Sequence, residues 1–119
     1  MKILIVDDNQ GVASLVQILL EIEGHEVRSA LNGPDGYLAY LQLRPDLVIT
    51  DIQMPGENGF ELMNHIREQD PTVKTIYMSG NLDQFNSDLE AEKSKYPINY
   101  LDKPFSREDL IGRISEFLG

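Results

Sequence analysis

Asp7 and Asp8 follow the run Lys2-Ile3-Leu4-Ile5-Val6, Asp51 follows Leu47-Val48-Ile49-Thr50, and Lys103 follows Ile98-Asn99-Tyr100-Leu101-Asp102. Each of these charged residues stands just past a short apolar run that reads as a strand. If the strands are parallel neighbours, their C-terminal ends bring three carboxylates and one ammonium to a single rim. Hard oxygen donors beside a fixed cation suit a divalent metal and a phosphoryl group.

A lone Asp51 reads most simply as a turn or helix-capping acid. The adjacent pair Asp7-Asp8 changes that balance. Neighbouring side chains in an extended segment diverge, so at most one of the pair faces Asp51 and the other turns with the loop. Two carboxylates about 4 Å apart repel by roughly 4 kcal/mol at an effective dielectric of 20. Three such pairs approach ~12 kcal/mol, the scale of a whole domain's stability. A cluster of this kind calls for a cation or a proton. Magnesium is the expected cation, because it takes one or two carboxylates plus a phosphate and keeps several waters. His25 and His65 lie away from the rim and read as surface residues, so nothing favours zinc. A carboxylate can also be the nucleophile, giving an aspartyl-phosphate. Lys103 would then neutralise the phosphoryl group, and the Ser79 hydroxyl could donate to its oxygen.

The elements that must position these residues alternate along the chain. Strands are predicted at Lys2 to Val6, Glu26 to Ser29, Leu47 to Thr50, Thr75 to Met78 and Ile98 to Leu101. The first and third are continuously apolar, as strands covered on both faces are, and the more polar second suits an edge. Helices are predicted from about Gln10 to Glu23, ending at Gly24, and from near Pro34 to just before Arg44-Pro45. Further helices are expected over about Asn58 to Glu68, somewhere between Leu82 and Tyr96, and from Ser106 to Leu118, the last opening on a capping box. Right-handed crossovers turn five such βα units into a three-layer α/β/α sandwich around a parallel sheet. Ligands of such sheets bind beyond the carboxyl ends of the strands, where Asp7, Asp8, Asp51, Ser79 and Lys103 all fall.

Composition limits the alternatives. The 119 residues fit one domain, spanning 1–119, and carry 20 acids against 10 bases for a net charge of −10. That balance argues against direct nucleic-acid binding and against an anionic membrane surface. The chain has no cysteine, hence no disulfide or thiolate chemistry. No apolar run reaches membrane-spanning length and no signal peptide is evident, so a cytoplasmic location is expected.

The pattern resembles the receiver domain of two-component response regulators, of the single-receiver, chemotaxis-regulator-like kind. The matching pieces are Asp7-Asp8, Asp51-Ile52-Gln53-Met54-Pro55-Gly56 with Gly59 beyond, Ser79-Gly80, and Lys103-Pro104-Phe105. They cover essentially the whole chain. The resemblance implies a flavodoxin-like (βα)5 fold with strand order 2-1-3-4-5. It implies that Asp51 accepts phosphate from a sensor histidine kinase or histidine phosphotransferase. Asp8, Asp51 and the backbone carbonyl of Gln53 would hold Mg2+, with Asp7 acting mainly through water. Lys103 would contact the phosphoryl group, and the Lys103-Pro104 bond would be cis. Ser79 and Tyr100 would be the switch residues. The domain would not be an enzyme in the ordinary sense, but would assist its own phosphorylation and dephosphorylation. A downstream output protein or a fused output domain would read the switch.

Serine stands at 79 where threonine is more frequent, which keeps the hydroxyl. Gly80 stands where alanine is usual and is expected to loosen the loop. Gln53 and Asn81 resemble the variable positions that influence phosphate loss. Over 81–97 only Leu82, Phe85 and Leu89 form a helix-spaced apolar stripe, so a short or mobile fourth helix is predicted. On the first helix the apolar residues span roughly 200°, wider than a core stripe of about 100° needs. Leu15, Ile18 and Ile22 on its edge either face a partner or are covered by a neighbouring helix. Two rival functions fit these residues less well. A magnesium-dependent phosphatase usually has its two acids one residue apart and a covering insertion, unlike Asp7-Asp8 in this short chain. A phosphate-independent receiver-like interaction module tends to lose an acid or the lysine, and all are present here.

Overall fold

The computed structural model describes residues 1–118. Strands β1 (Lys2–Val6), β2 (Glu26–Ala30), β3 (Leu47–Asp51), β4 (Lys74–Ser79) and β5 (Ile98–Asp102) alternate with helices α1 (Gln10–Ile22), α2 (Gly33–Leu43), α3 (Gly59–Gln69), α4 (Asn86–Lys93) and α5 (Arg107–Leu118). All strand pairs are parallel, in the order β2-β1-β3-β4-β5. The predicted fold, strand order and edge position of the second strand therefore hold, and each predicted strand is met within one residue at either end.

Side chains of successive strand residues go to opposite layers. Leu4, Val6, Val48 and Tyr77 pack with Ala39, Tyr40, Leu62, Met63 and Ile66 of α2 and α3. Ile3, Ile5, Leu47, Ile49, Ile76 and Met78 pack with Ala13, Val16 and Leu20 of α1 and Leu110 and Ile114 of α5. Burial on both faces is the reason β1 and β3 have continuous apolar runs. β2 and β5 lie at the edges and carry exposed residues.

The helix ends are local chemistry. Asn9, Asn32 and Asn58 each accept a backbone N–H at the start of α1, α2 and α3. Asn58 and Glu61 complete a reciprocal capping box, and so do Ser106 and Asp109 at α5, as predicted. Gly24, past the end of α1, has φ +91°, which a side chain rarely allows.

The predicted short fourth helix takes a specific form. Leu82–Phe85 is a 3₁₀ turn, and α4 has 8 residues of which Leu89 alone is buried. With so few apolar contacts, a long amphipathic helix has nothing to dock with. Among the described residues, no helix is long and apolar enough to cross a membrane.

Candidate functional site

Parallel pairing fixes the rim. Val6 lies beside Thr50, Asp51 beside Met78, and Ser79 beside Asp102. The residues that end β1, β3, β4 and β5 therefore come to one edge of the sheet, and the predicted site residues come with them. Each of Asp7, Asp8 and Asp51 offers an oxygen within 4.8 Å of the others.

Asp7 and Asp8 diverge as adjacent side chains must. Asp7 is fully buried, whereas Asp8 is exposed. The Asp7 Oδ1 atom accepts the Asn9 backbone N–H at 2.9 Å, and its Oδ2 accepts the Lys103 ammonium at 2.6 Å. Lys103 also donates to Asp51 Oδ2 at 3.2 Å. One ammonium thus bridges two of the three carboxylates.

Burial pushes the Asp51 carboxyl above its usual value; Lys103 opposes this, while Asp7 and Asp8 add to it. For Lys103, burial works against the ammonium, but the hydrogen bond to Asp7 and the charges of Asp51 and Asp7 outweigh it, leaving its pKa raised. The donor set fits a magnesium ion. It consists of carboxylate oxygens with excess negative charge, and the exposed Asp8 leaves an open side toward water.

The backbone around Asp51 is tightly packed. A Cβ on Gly59 would lie 2.4 Å from the Asp51 carbonyl oxygen, so only glycine lets α3 start this close to the strand end. The buried Thr50 hydroxyl donates to the same carbonyl at 2.9 Å.

Ser79 is buried on β4. Its Oγ accepts the Asn81 backbone N–H at 2.9 Å and faces Gln53 Oε1 at 3.5 Å. Gln53 is exposed on the loop after β3. Tyr100 is directed outward from β5 and is 36% exposed, while its carbonyl accepts Arg113 Nε at 3.0 Å. The Lys103-Pro104 bond is cis. His25 faces the N-terminal amine and His65 pairs with Glu57 at 3.0 Å, and neither belongs to the acidic cluster.

On α1, Leu15, Ile18 and Ile22 are 58%, 54% and 71% exposed, so no neighbouring helix covers them. A groove of about 360 Å³ beside them is lined by Val12, Leu15, Leu19, Pro104, Phe105 and Lys103. It connects the apolar edge of α1 with the rim.

A second polar cluster went unread in the sequence. Arg67 on α3 is buried and reaches Glu92 of α4 and Tyr77 and Thr75 of β4. The available signal was its place, four residues after Met63 on the buried stripe of α3.

The model of the family described as "Response regulator receiver domain" matches residues 3–115. The chain is 32% identical to the DNA-binding dual master transcriptional regulator RpaA of Synechocystis, over 98% of this chain and 48% of the relative. It is 29% identical to sporulation initiation phosphotransferase F of Bacillus subtilis, over 98% of this chain and 93% of that protein. It spans about half the length of RpaA and of other curated transcriptional regulators that it matches. Among solved structures, response regulator TrrA of Thermotoga maritima, in complex with Mg2+ and BeF, superposes with a TM-score of 0.82 at 30% identity, covering 97% of this chain and 96% of that one. With its (βα)5 sheet, its acidic rim and the bridging lysine, the chain belongs to the response regulator receiver domain family.

Proposed function

We propose that this chain is a phospho-acceptor switch of a two-component or phosphorelay system and that Asp51 receives the phosphoryl group. The observation that carries the assignment is the Lys103 ammonium, held between the Asp7 and Asp51 carboxylates at 2.6 and 3.2 Å. An Asp51 oxygen attacks the phosphorus of a phosphohistidine. The P–O bond forms as the P–N bond breaks, and the bonding pair returns to the imidazole nitrogen of the donor. Lys103 neutralises charge on the transferred group, and it is already positioned for that by Asp7, both of whose oxygens are engaged.

Asp8, Asp51 and the Gln53 carbonyl would hold Mg2+, with Asp7 acting through water. When bound, the ion supplies positive charge next to the transferring oxygens. Ser79 donates its hydroxyl to the phosphoryl group once it leaves Asn81 and Gln53, and Tyr100 changes position with it. The domain acts as a signalling element rather than a turnover enzyme, assisting phosphate gain and loss on its own carboxylate. The exposed Leu15, Ile18 and Ile22 suit the apolar face of a sensor kinase or histidine phosphotransferase. An output protein or a fused output domain then reads the switch.

Intact mass after incubation with phosphoramidate or acetyl phosphate tests the assignment. A gain of one phosphoryl group that needs magnesium and is lost in Asp51→Asn is expected. No gain in a folded, magnesium-binding wild type overturns it in favour of a phosphate-independent interaction module.

A further inference from the structure

The densest buried polar cluster outside the rim joins α3, β4 and α4. Arg67 Nη1 donates to Glu92 Oε1 at 2.5 Å and to the Tyr77 hydroxyl at 3.4 Å, and Nη2 donates to Thr75 Oγ1 at 3.3 Å. The Tyr77 hydroxyl donates to the same Glu92 oxygen at 2.6 Å. Tyr96, just past α4, closes the far side, with the guanidinium 3.8 Å from its ring centre. Burial holds the Tyr77 hydroxyl far above its usual pKa, so it stays a donor.

Where these contacts fall along the chain gives them their meaning. Thr75, Tyr77 and Ser79 are alternate residues of β4 and face the same layer. Arg67 therefore ties down the two β4 residues that precede Ser79 on that face. Through Glu92 it also ties down the helix that follows the Ser79 loop. One guanidinium thus brackets the segment between Tyr77 and Glu92, which contains the Ser79 loop.

Little else fastens α4. Leu89 is its one buried residue, and its N-cap position, Phe85, makes no side-chain capping bond. α3, by comparison, buries five residues. In this arrangement the Ser79 Oγ atom is engaged with Asn81 N and Gln53 Oε1 instead of Asp51. The buried Nε of Arg67 has no hydrogen-bond partner, so the cluster is not saturated.

We propose that the Arg67–Glu92 pair is a clamp and that Arg67 and Glu92 are positioning residues for phosphorylation. The clamp holds α4 and the Ser79 loop where the Ser79 hydroxyl is engaged with Asn81 and Gln53. Phosphorylation then favours the released arrangement, and loosening the clamp shifts the population toward it in advance. This inference rests on the phospho-acceptor reading.

The test compares wild type, Glu92→Gln, Tyr77→Phe and Asp51→Asn. Glu92→Gln removes the charge of the clamp, and Tyr77→Phe removes one hydroxyl only. The first readout is the initial rate of phosphorylation by phosphoramidate with magnesium, taken well below the melting temperature. The second is amide hydrogen exchange over 82–93. Glu92→Gln is expected to speed phosphorylation about three- to tenfold, with faster exchange in α4 and unchanged exchange in β1. Tyr77→Phe is expected to act in the same direction and more weakly, and it carries the test if Glu92→Gln does not fold.

A residue of merely structural importance would lower the melting temperature and leave the rate alone. An unchanged or slower rate in both variants therefore overturns the clamp, as does unchanged exchange in α4. If the wild type itself gains no phosphoryl group, as Asp51→Asn should not, the phospho-acceptor reading fails and takes the clamp's role in it along.

Discussion

The rim and the Arg67 cluster both bury charge against the same sheet, and they balance it differently. At Arg67 one guanidinium, 4% exposed, meets one carboxylate, 13% exposed, and its Nη atoms also donate to two hydroxyls. At the rim one ammonium faces three carboxylates, one of them fully buried. The first cluster is balanced in charge within itself, although the buried Nε of Arg67 has no hydrogen-bond partner. The second carries excess negative charge that the fold does not cancel. A buried pair that closes on itself positions neighbouring elements, whereas an unclosed one is set up for a ligand to complete.

Removing the rim's single cation is the hardest test of that contrast. Lys103→Met leaves Asp7 fully buried without its counter-ion, beside a charged Asp51. A loss of about 3–5 kcal/mol in folding stability is expected from urea unfolding in metal-free buffer. Added magnesium should restore part of it, because a ligand that binds only the folded state stabilises that state. A loss under about 0.5 kcal/mol, in the range of an ordinary surface change, would break the comparison.

Neutralising one of the excess carboxylates should have the opposite sign. The Asp51 carboxyl is held above its ordinary value of 3.8, chiefly by burial, so the folded protein binds that proton more tightly than the unfolded chain does. Stability from this group therefore rises as pH falls through the raised folded value, and levels off below the ordinary value. At neutral pH the charged Asp51 works against folding. In EDTA at pH 7.5, Asp51→Asn is expected to be more stable than wild type. The gap should narrow toward pH 4. Paired thermal unfolding series across pH measure it, and a gap that is absent or independent of pH contradicts the picture of an uncancelled rim.

The two regions also differed in how far the sequence disclosed them. The rim was legible because each acid directly follows an apolar run, and a strand end is a local feature. Parallel pairing then brings such ends together whatever the intervening helices contain. The strand order came from the family resemblance and not from the runs themselves. The Arg67 cluster was not legible, since its ion pair joins residues 25 apart in sequence. Asp83, Asp88, Glu90 and Glu92 all stand in the same polar stretch, and no local pattern selects Glu92. The break between Leu82–Phe85 and α4 was missed for a related reason, because a thin apolar stripe fits a 3₁₀ turn as well as an α-helix.

The smallest expected effect on folding lies at α1, where apolar side chains stay in water instead of joining either cluster. Leu15 is 58% exposed, and its substitution by Glu should change stability by no more than about 0.5 kcal/mol. If the edge formed with Ile18 and Ile22 is where a phosphohistidine-bearing bundle docks, the added carboxylate must be desolvated at that interface. Transfer from such a donor should then slow about tenfold, a difference of ~1.4 kcal/mol. Transfer from phosphoramidate needs no docking and should keep its rate. Equal slowing with both donors would place the defect in the rim, which lies along the same groove through Lys103. A loss of stability with no loss of transfer would mean that Leu15 serves the core and that the docking face lies elsewhere.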